Sequence, residues 1–248
     1  MTSILVTGGT GTLGSRVSAK LREGGHEVRV LSRHSQAYAV DLRNGTGLDA
    51  AVEGVDAIVH CASAPRGGDD EAASRLLDAA RRAEVPHLLY ISIVGVDRLP
   101  LGYYVMKRKV ERMIEEAGES GPGWTILRTT QFHDLVLRML AGAARLPVMP
   151  LPSGVSVQPI HTDEVAERLA ELAVTGPAGR VEDMGGPEIR PLPDLARAYL
   201  RAHGRRRPLL PVRLAGKAYA GYRAGDHLTP ERAVGKVTFE QFLTQRLG

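Results

Sequence analysis

An α/β fold built on a doubly wound parallel sheet is predicted by three observations. Short apolar runs alternate with helical patterns of about ten to fifteen residues up to about residue 130, the rhythm of βαβ units. The first apolar run, Ile4-Leu5-Val6, leads straight into glycines at every third position, Gly8, Gly11 and Gly14, and then into a helical pattern. The length of 248 residues, with 43% apolar and 24% charged residues, suits a globular chain with a sizeable core.

Taken in order, Ile4 to Val6 read as a strand buried on both faces. In the loop Thr7-Gly8-Gly9-Thr10-Gly11-Thr12-Leu13-Gly14, each spaced glycine has a mechanical role. Gly8 permits a tight turn off the strand, Gly11 lets the backbone approach a pyrophosphate, and Gly14 allows close packing of helix on sheet. The helix N-terminus offers N–H groups and partial positive charge to phosphates. A strand–glycine loop–helix unit of this kind predicts a Rossmann-type dinucleotide site, with Gly8, Thr10, Gly11, Thr12, Leu13 and Gly14 as its cradle.

Val17 and Leu21 mark the following helix, which Gly24-Gly25 stop. His26 to Leu31 is the second strand, ending in Ser32-Arg33-His34, and Tyr38 to Leu42 the third. A loop and short helix reach Gly54. Val55 to Cys61 is the fourth strand, followed by the loop Ala62 to Gly68 and a helix over 70–84. His87 to Ser92 is the fifth strand, about 103 to 117 a charged amphipathic helix, and Trp124 to Arg128 the sixth strand. Beyond that the rhythm loosens. Helices are expected over Phe132–Leu146, over 163–174 with Thr162 as N-cap, over about 194–203 and over 239–247; strands are expected over Val155–Ile160 and Val181–Met184. Residues 204–236, rich in Arg, Pro and Gly, are expected to cover a pocket. With no internal repeat, the chain reads as a single domain over 1–248. Its Rossmann core covers about 1–130, and a small interleaved substrate-binding or lid subdomain about 131–248.

The end of the second strand meets the adenosine ribose in such a site, where an acid selects NAD. Here stand Ser32 and Arg33, with no acid until Asp41. An arginine pairs bidentately with a 2′-phosphate, so NADP(H) is expected, with NAD(H) as the alternative and a solvated loop arginine as the plain reading of Arg33. Asp41-Leu42 are placed at the adenine; His60, Cys61, Ala62 and Ser63 flank the phosphates and nicotinamide ribose. Cys61 reads as a packing residue rather than a nucleophile.

Composition narrows the classes. A single cysteine rules out a disulfide framework and a cysteine-based zinc cluster and agrees with a reducing, cytoplasmic setting. The start enters a strand rather than a signal peptide, and no apolar run is long enough for a membrane span. The net charge of +4 is uneven: residues 201–248 carry +7 and residues 1–200 carry −3. This reads as an arginine-rich surface or a wall facing an anionic ligand; Arg205-Arg206-Arg207 alone does not make a nucleic-acid site. No His or carboxylate spacing suits a metal.

The glycine loop, Tyr90-Ile91-Ser92-Ile93-Val94-Gly95-Val96-Asp97-Arg98, Tyr103-Tyr104-Val105-Met106-Lys107 with Glu111, and Trp124 to Arg128 through Gln131-Phe132-His133-Asp134 carry a family likeness. Together with Gln158-Pro159-Ile160 and the Thr238-Phe239-Glu240 region, the chain resembles the atypical and extended short-chain dehydrogenase/reductases. Within them it is similar to the NmrA-like branch, which holds both NAD(P)H-binding reductases and redox-sensing regulators. The resemblance implies Tyr103 as catalytic acid, Lys107 as partner of the phenol and holder of the nicotinamide ribose, and Ser92 as the hydroxyl that polarises a substrate carbonyl. The i, i+4 spacing puts Tyr103 and Lys107 on one helix face, and a nearby ammonium is expected to favour the phenolate. Gln131 and His133 are candidates for substrate contact.

The sequence departs from the ordinary pattern in two places. Ile93 and Val94 follow Ser92 where further hydroxyls are usual, and Tyr104 adjoins Tyr103, so either phenol is a candidate. On spacing alone, Tyr103, Lys107 and Glu111 also read as a solvated helix stripe. The expected function is an NADPH-dependent reductase of a small carbonyl or related electrophile. A non-catalytic NADP(H) sensor with a protein partner and a redox-neutral epimerase or dehydratase are the alternatives.

Overall fold

In the computed structural model, residues 1–64 and 67–247 are described. Pro65 and Arg66, in the loop expected after the fourth strand, lie outside the described residues. β1 (Ser3–Thr7) is central to the main sheet because Ile4, Leu5, Val6 and Thr7 are wholly buried. It runs parallel to β2 (Glu27–Ser32) on one side and β4 (Ala57–His60) on the other. With β3 (Tyr38–Ala39), β5 (His87–Ile93), β6 (Gly123–Thr129) and β9 (Gly179–Arg180), the seven strands take the order β3-β2-β1-β4-β5-β6-β9. The chain winds outward from β1 through β2 and β3, returns beside β1 as β4, and winds outward the other way. The reversal lies between β1 and β4, so the crevice at their carboxyl ends is the place where such sheets bind ligands.

Two compact units share the chain. The first comprises Met1–Ser92, Gly102–Arg128 and Asp163–Glu182, and the second Ile93–Leu101, Thr129–Thr162 and Asp183–Gly248. The boundary expected near residue 130 is thus crossed again by α6 (Thr162–Thr175) and β9, which extend the first unit. In that unit α1 (Thr12–Glu23), α2 (Leu48–Val52), α3 (Asp69–Arg82) and α4 (Gly102–Ala117) accompany the sheet. Leu5, Ile58, Leu76, Leu88, Val110 and Ile114 form part of one continuous core.

The second unit has its own core, where Val136 and Leu140 of α5 (His133–Ala143) meet Leu195 and Tyr199 of α7 (Leu192–Ala202) and Phe239 and Phe242 of α9 (Phe239–Leu247). Two small ladders were not anticipated in full. β7 (Met149–Pro152) runs parallel to β11 (Leu209–Val212), and β8 (Ser156–Val157) antiparallel to β10 (Arg190–Pro191). Pro150, Pro152 and Pro211 hide the first ladder, because proline reads as a strand breaker yet is tolerated where its missing N–H faces away. Pro159 likewise ends the strand expected over Val155–Ile160.

Residues 204–236 contain β11, α8 (Lys217–Ala224) and a single 3-10 turn at Pro230–Arg232. Wholly buried Gln158 ties this stretch down: its amide nitrogen donates to the carbonyls of Gly186 at 3.0 Å and Thr229 at 3.2 Å, and its oxygen accepts from the Thr229 N–H. No helix among the described residues is long and apolar enough to cross a membrane.

Candidate functional site

The glycine turn after β1 is built as its spacing implies, and more tightly. Gly8 has φ of +64°, and a Cβ there would lie 2.7 Å from the Ala62 Cα after β4. A Cβ on Gly14 would sit 2.3 Å from the Gly8 carbonyl oxygen, so the first turn of α1 closes against the loop only with glycine. Gly9 has a role its spacing does not suggest: a Cβ would come within 2.7 Å of Val30 on β2. Gly11 differs, since only the Gly8 oxygen at 3.1 Å lies near its Cβ position, and Thr10, Gly11 and Thr12 are exposed. Leu13 is buried, leaving only its backbone for a ligand. No side chain caps α1 at Gly11. An uncapped helix start behind exposed, small residues fits a pyrophosphate.

At the end of β4, the Ala62 N–H donates to Thr7 Oγ1 at 3.3 Å, and the Thr7 hydroxyl and His60 Nδ1 share a hydrogen bond at 2.7 Å. These bonds lock the fourth strand's exit to the glycine turn. His60 is buried and stacked on Tyr90, and burial pushes its pKa down to about 3. The place expected for His60 beside the phosphates is therefore corrected to the interior. The Cys61 thiol is pushed up to about 12 by burial, which leaves it unreactive.

α4 is rotated by a buried ion pair. Glu111, wholly buried, receives a two-pronged bond from Arg128 of β6, Nε to Oε1 at 2.8 Å and Nη2 to Oε2 at 2.7 Å, and a further bond from Arg108. The stripe 103–107–111 thus faces inward, and the reading of it as a solvated face is corrected. Lys107, 3% exposed, donates from Nζ to the Ile91 carbonyl at 3.0 Å and lies 4.6 Å from the Tyr90 ring centre. Burial lowers its pKa to about 8, against the opposing pull of Asp69, Cys61 and Glu111.

The two adjacent phenols separate clearly. Tyr104 is buried, whereas Tyr103 is half-buried with its hydroxyl 2.7 Å from Ser63 Oγ. Burial, with the charges of Asp69 and Tyr104 behind it, raises the Tyr103 pKa above its ordinary value; Ser63 would oppose that rise only by donating to the phenol oxygen. The expectation that a neighbouring ammonium favours the phenolate is therefore corrected: the Tyr103 pKa is raised, and Lys107 gives one of its three N–H bonds to Ile91 and lies over the Tyr90 face.

Ser63 Oγ also donates to Asp69 Oδ2 at 2.9 Å, and Asp69 Oδ1 accepts the Ala64 N–H at 2.6 Å. Asp69, 5% exposed, was not singled out from sequence; as the first of three acids opening α3 it reads as a helix-dipole residue. Ser92, at the end of β5, is buried, and its hydroxyl has no hydrogen-bond partner among the described residues. A buried orphan hydroxyl at the carboxyl edge fits a group awaiting a ligand.

At the adenosine end, Ser32 is half-buried and Arg33 exposed. Arg43 grips Asp41 with Nε and Nη2 at 3.2 and 2.9 Å, and its own N–H adds a third bond. These bonds lower the Asp41 pKa to about 2. Leu42 is a core side chain. Gln131 and His133 belong to the second unit. His133 is wholly buried, stacked on Phe242 with Nε2 3.0 Å from the Val237 carbonyl, and burial pushes its pKa down to about 4. Its expected substrate contact is corrected to a core role.

A strand-reversal crevice, a glycine turn and an uncapped helix start define a dinucleotide-binding α/β protein. Residues 8–173 match the NAD(P)H-binding family model, and the chain belongs to that family. The chain is 32% identical over 202 residues to the (4-alkanoyl-5-oxo-2,5-dihydrofuran-3-yl)methyl phosphate reductase of Streptomyces griseus, covering 75% of this chain and 68% of the relative. It is 29% identical over 217 residues to the NAD(P)H azoreductase of Xenophilus azovorans, covering 82% and 74%. The fold is shared with the NADPH-complexed quinone oxidoreductase QOR2 of Escherichia coli, at a TM-score of 0.82 and 18% identity, over 99% of this chain and 100% of that one.

Proposed function

We propose that this chain is an NADPH-dependent oxidoreductase that reduces a small carbonyl or related electrophile. The observation that carries it is the placing of Tyr103 and Lys107, one turn apart on the inward face of α4, beside the carboxyl ends of β4 and β5. The relatives named as reductases of an oxo-dihydrofuran phosphate and of azo compounds support an electrophilic substrate. The backbone of Gly8 to Gly14 would hold the pyrophosphate, with Cys61, Ala62 and Ser63 flanking it and Lys107 holding the nicotinamide ribose. Ser32 and Arg33 would take the 2′-phosphate; NADPH is favoured because Arg43 already occupies Asp41, the first acid after β2. Asp41 and Leu42 stay as backbone neighbours of the adenine.

When bound, the cofactor supplies the hydride. Tyr103 supplies the proton, and burial keeps its phenol in the acid form through neutral pH. Lys107, with its pKa near 8, is mostly cationic at pH 7 and draws the ribose hydroxyls by charge-assisted bonds. Ser92 turns its otherwise unpaired hydroxyl to the substrate oxygen. The single thiol suits a reducing cytoplasmic setting.

The test is NADPH oxidation against carbonyls, quinones and azo compounds, with wild type beside Tyr103→Phe. Loss of general-acid catalysis lowers kcat by about 10²- to 10⁴-fold. An unchanged rate would remove Tyr103 from the chemistry. Tight NADPH binding with no oxidation across the panel would instead favour a regulator of the NmrA-like kind, a reading that the hydrocarbon side chain of Ile93, in place of a second hydroxyl, supports.

A further inference from the structure

Three hydroxyl and carboxyl groups from three segments form one chain of hydrogen bonds: Tyr103 on α4, Ser63 after β4, and Asp69 at the start of α3. A hydroxyl has one proton to give. Ser63 gives its proton to the Asp69 carboxylate at 2.9 Å, so at Tyr103 it can act only as acceptor. The 2.7 Å contact between the two hydroxyls is therefore donated by Tyr103. Asp69 itself is held in register by the Ala64 N–H, a donor that cannot reverse.

We propose that Asp69, acting through Ser63, is a positioning residue that fixes the direction of the Tyr103 hydroxyl and keeps that phenol protonated. The proposal rests on Tyr103 being the site's acid only for its catalytic consequence; the hydrogen-bond chain stands without it. A serine free to donate would stabilise the phenolate, but Ser63 has spent its proton. The carboxylate adds its charge against ionisation, in the direction Tyr103 is shifted. The other groups facing this chain are Tyr104 on α4, Tyr90 on β5, and Lys107, whose ammonium Asp69 also attracts. Asp69 is thus the carboxylate shared by the two residues of the proposed catalytic pair.

Asp69→Asn is nearly isosteric and makes a signed prediction. The Asn oxygen must stay on the Ala64 N–H, so its NH₂ points at Ser63. Ser63 then accepts from Asn and donates to the Tyr103 oxygen, which reverses the chain and removes the charge. The titration of Tyr103 is followed by NMR of protein labelled at tyrosine Cζ, with Tyr103→Phe assigning its signal among the seven tyrosines. In Asp69→Asn the Tyr103 midpoint falls by about one pH unit or more. In Ser63→Ala it also falls, because the neutral phenol loses its acceptor. A rise in Ser63→Ala would show that Ser63 donates to Tyr103 and would overturn the proposal, even if Asp69→Asn fails to fold. An unmoved midpoint in a folded Asp69→Asn overturns it too. So does an Asp69→Asn shift of equal size in the Ser63→Ala background, since Asp69 would then act by charge alone. The alkaline limb of NADPH oxidation should move with the NMR midpoint; a limb that stays while the midpoint moves overturns the role of Tyr103 as acid and leaves Asp69's intact.

Discussion

Lys107 is a charge that the fold holds at a loss, and its replacement should make the protein more stable while impairing the site. Burial lowers its pKa from 10.5 to about 8. At about 1.4 kcal/mol per unit, that shift puts the ammonium at a penalty of about 3 kcal/mol in the native state at pH 7. Lys107→Met keeps the length and apolar stem of the side chain but loses the bond to Ile91 and the contact with Tyr90, together about 1–2 kcal/mol. The net gain is about 1–2 kcal/mol at pH 7, or roughly 2–6 °C in Tm for a chain of this size. The sign follows from linkage: the unfolded lysine holds its proton up to its ordinary pKa and the native one only to about 8, so wild-type stability rises with pH between them. Lys107→Met lacks that rise, so its advantage is full below about pH 8 and is lost before the pH reaches 10.5. Urea unfolding followed by the single Trp124, which lies on β6 of the first unit, reads this directly at several pH values. A variant no more stable than wild type at pH 7, or an advantage independent of pH, would refute the charge argument. The same variant should bind NADPH more weakly, by isothermal calorimetry.

Glu111→Ala removes the carboxylate that neutralises the buried Arg128 guanidinium and should cost about 3–5 kcal/mol, read as a fall in the urea midpoint; Arg128→Met in the same background should restore most of it. Gly14→Ala drives a Cβ to 2.3 Å from the Gly8 oxygen, so NADPH affinity should fall at least about tenfold even where circular dichroism shows a folded protein. Arg33→Glu should weaken NADPH by about 10- to 100-fold and leave NADH unaffected, by fluorescence titration of each nucleotide; equal losses for both would move the 2′-phosphate elsewhere.

The first half of the chain was legible because its elements are local. A buried run, three spaced glycines and a helix start are read within a dozen residues, and the β1 to β6 alternation follows from the same rhythm. The loosely patterned remainder was not, since the β7–β11 pairing joins Met149 to Leu209 across many residues and is masked by prolines. His133 shows a related limit: a histidine after a strand end reads as a ligand until Phe239 and Phe242, contributed by the C-terminal helix, are seen to enclose it.

The candidate site divides on the same line. The i, i+4 spacing of Tyr103 and Lys107 is visible in the sequence, but a polar helical stripe has no preferred side until something distant turns it. That something is Arg128, seventeen positions beyond Glu111, whose fork draws the carboxylate inward and carries the two residues above it on the stripe to the sheet's edge. The same pairing separates Tyr103 from Tyr104, since a rotation of about 100° per residue leaves only one of them in line with the stripe. Asp69 escaped notice for the converse reason: an acid at a helix start already has a sufficient local explanation in the dipole, and its partner Ser63 is six residues back across a turn. Local rules therefore identify the ligand-binding loop, while the chemistry of the site depends on polar side chains whose direction is set by partners elsewhere in the chain.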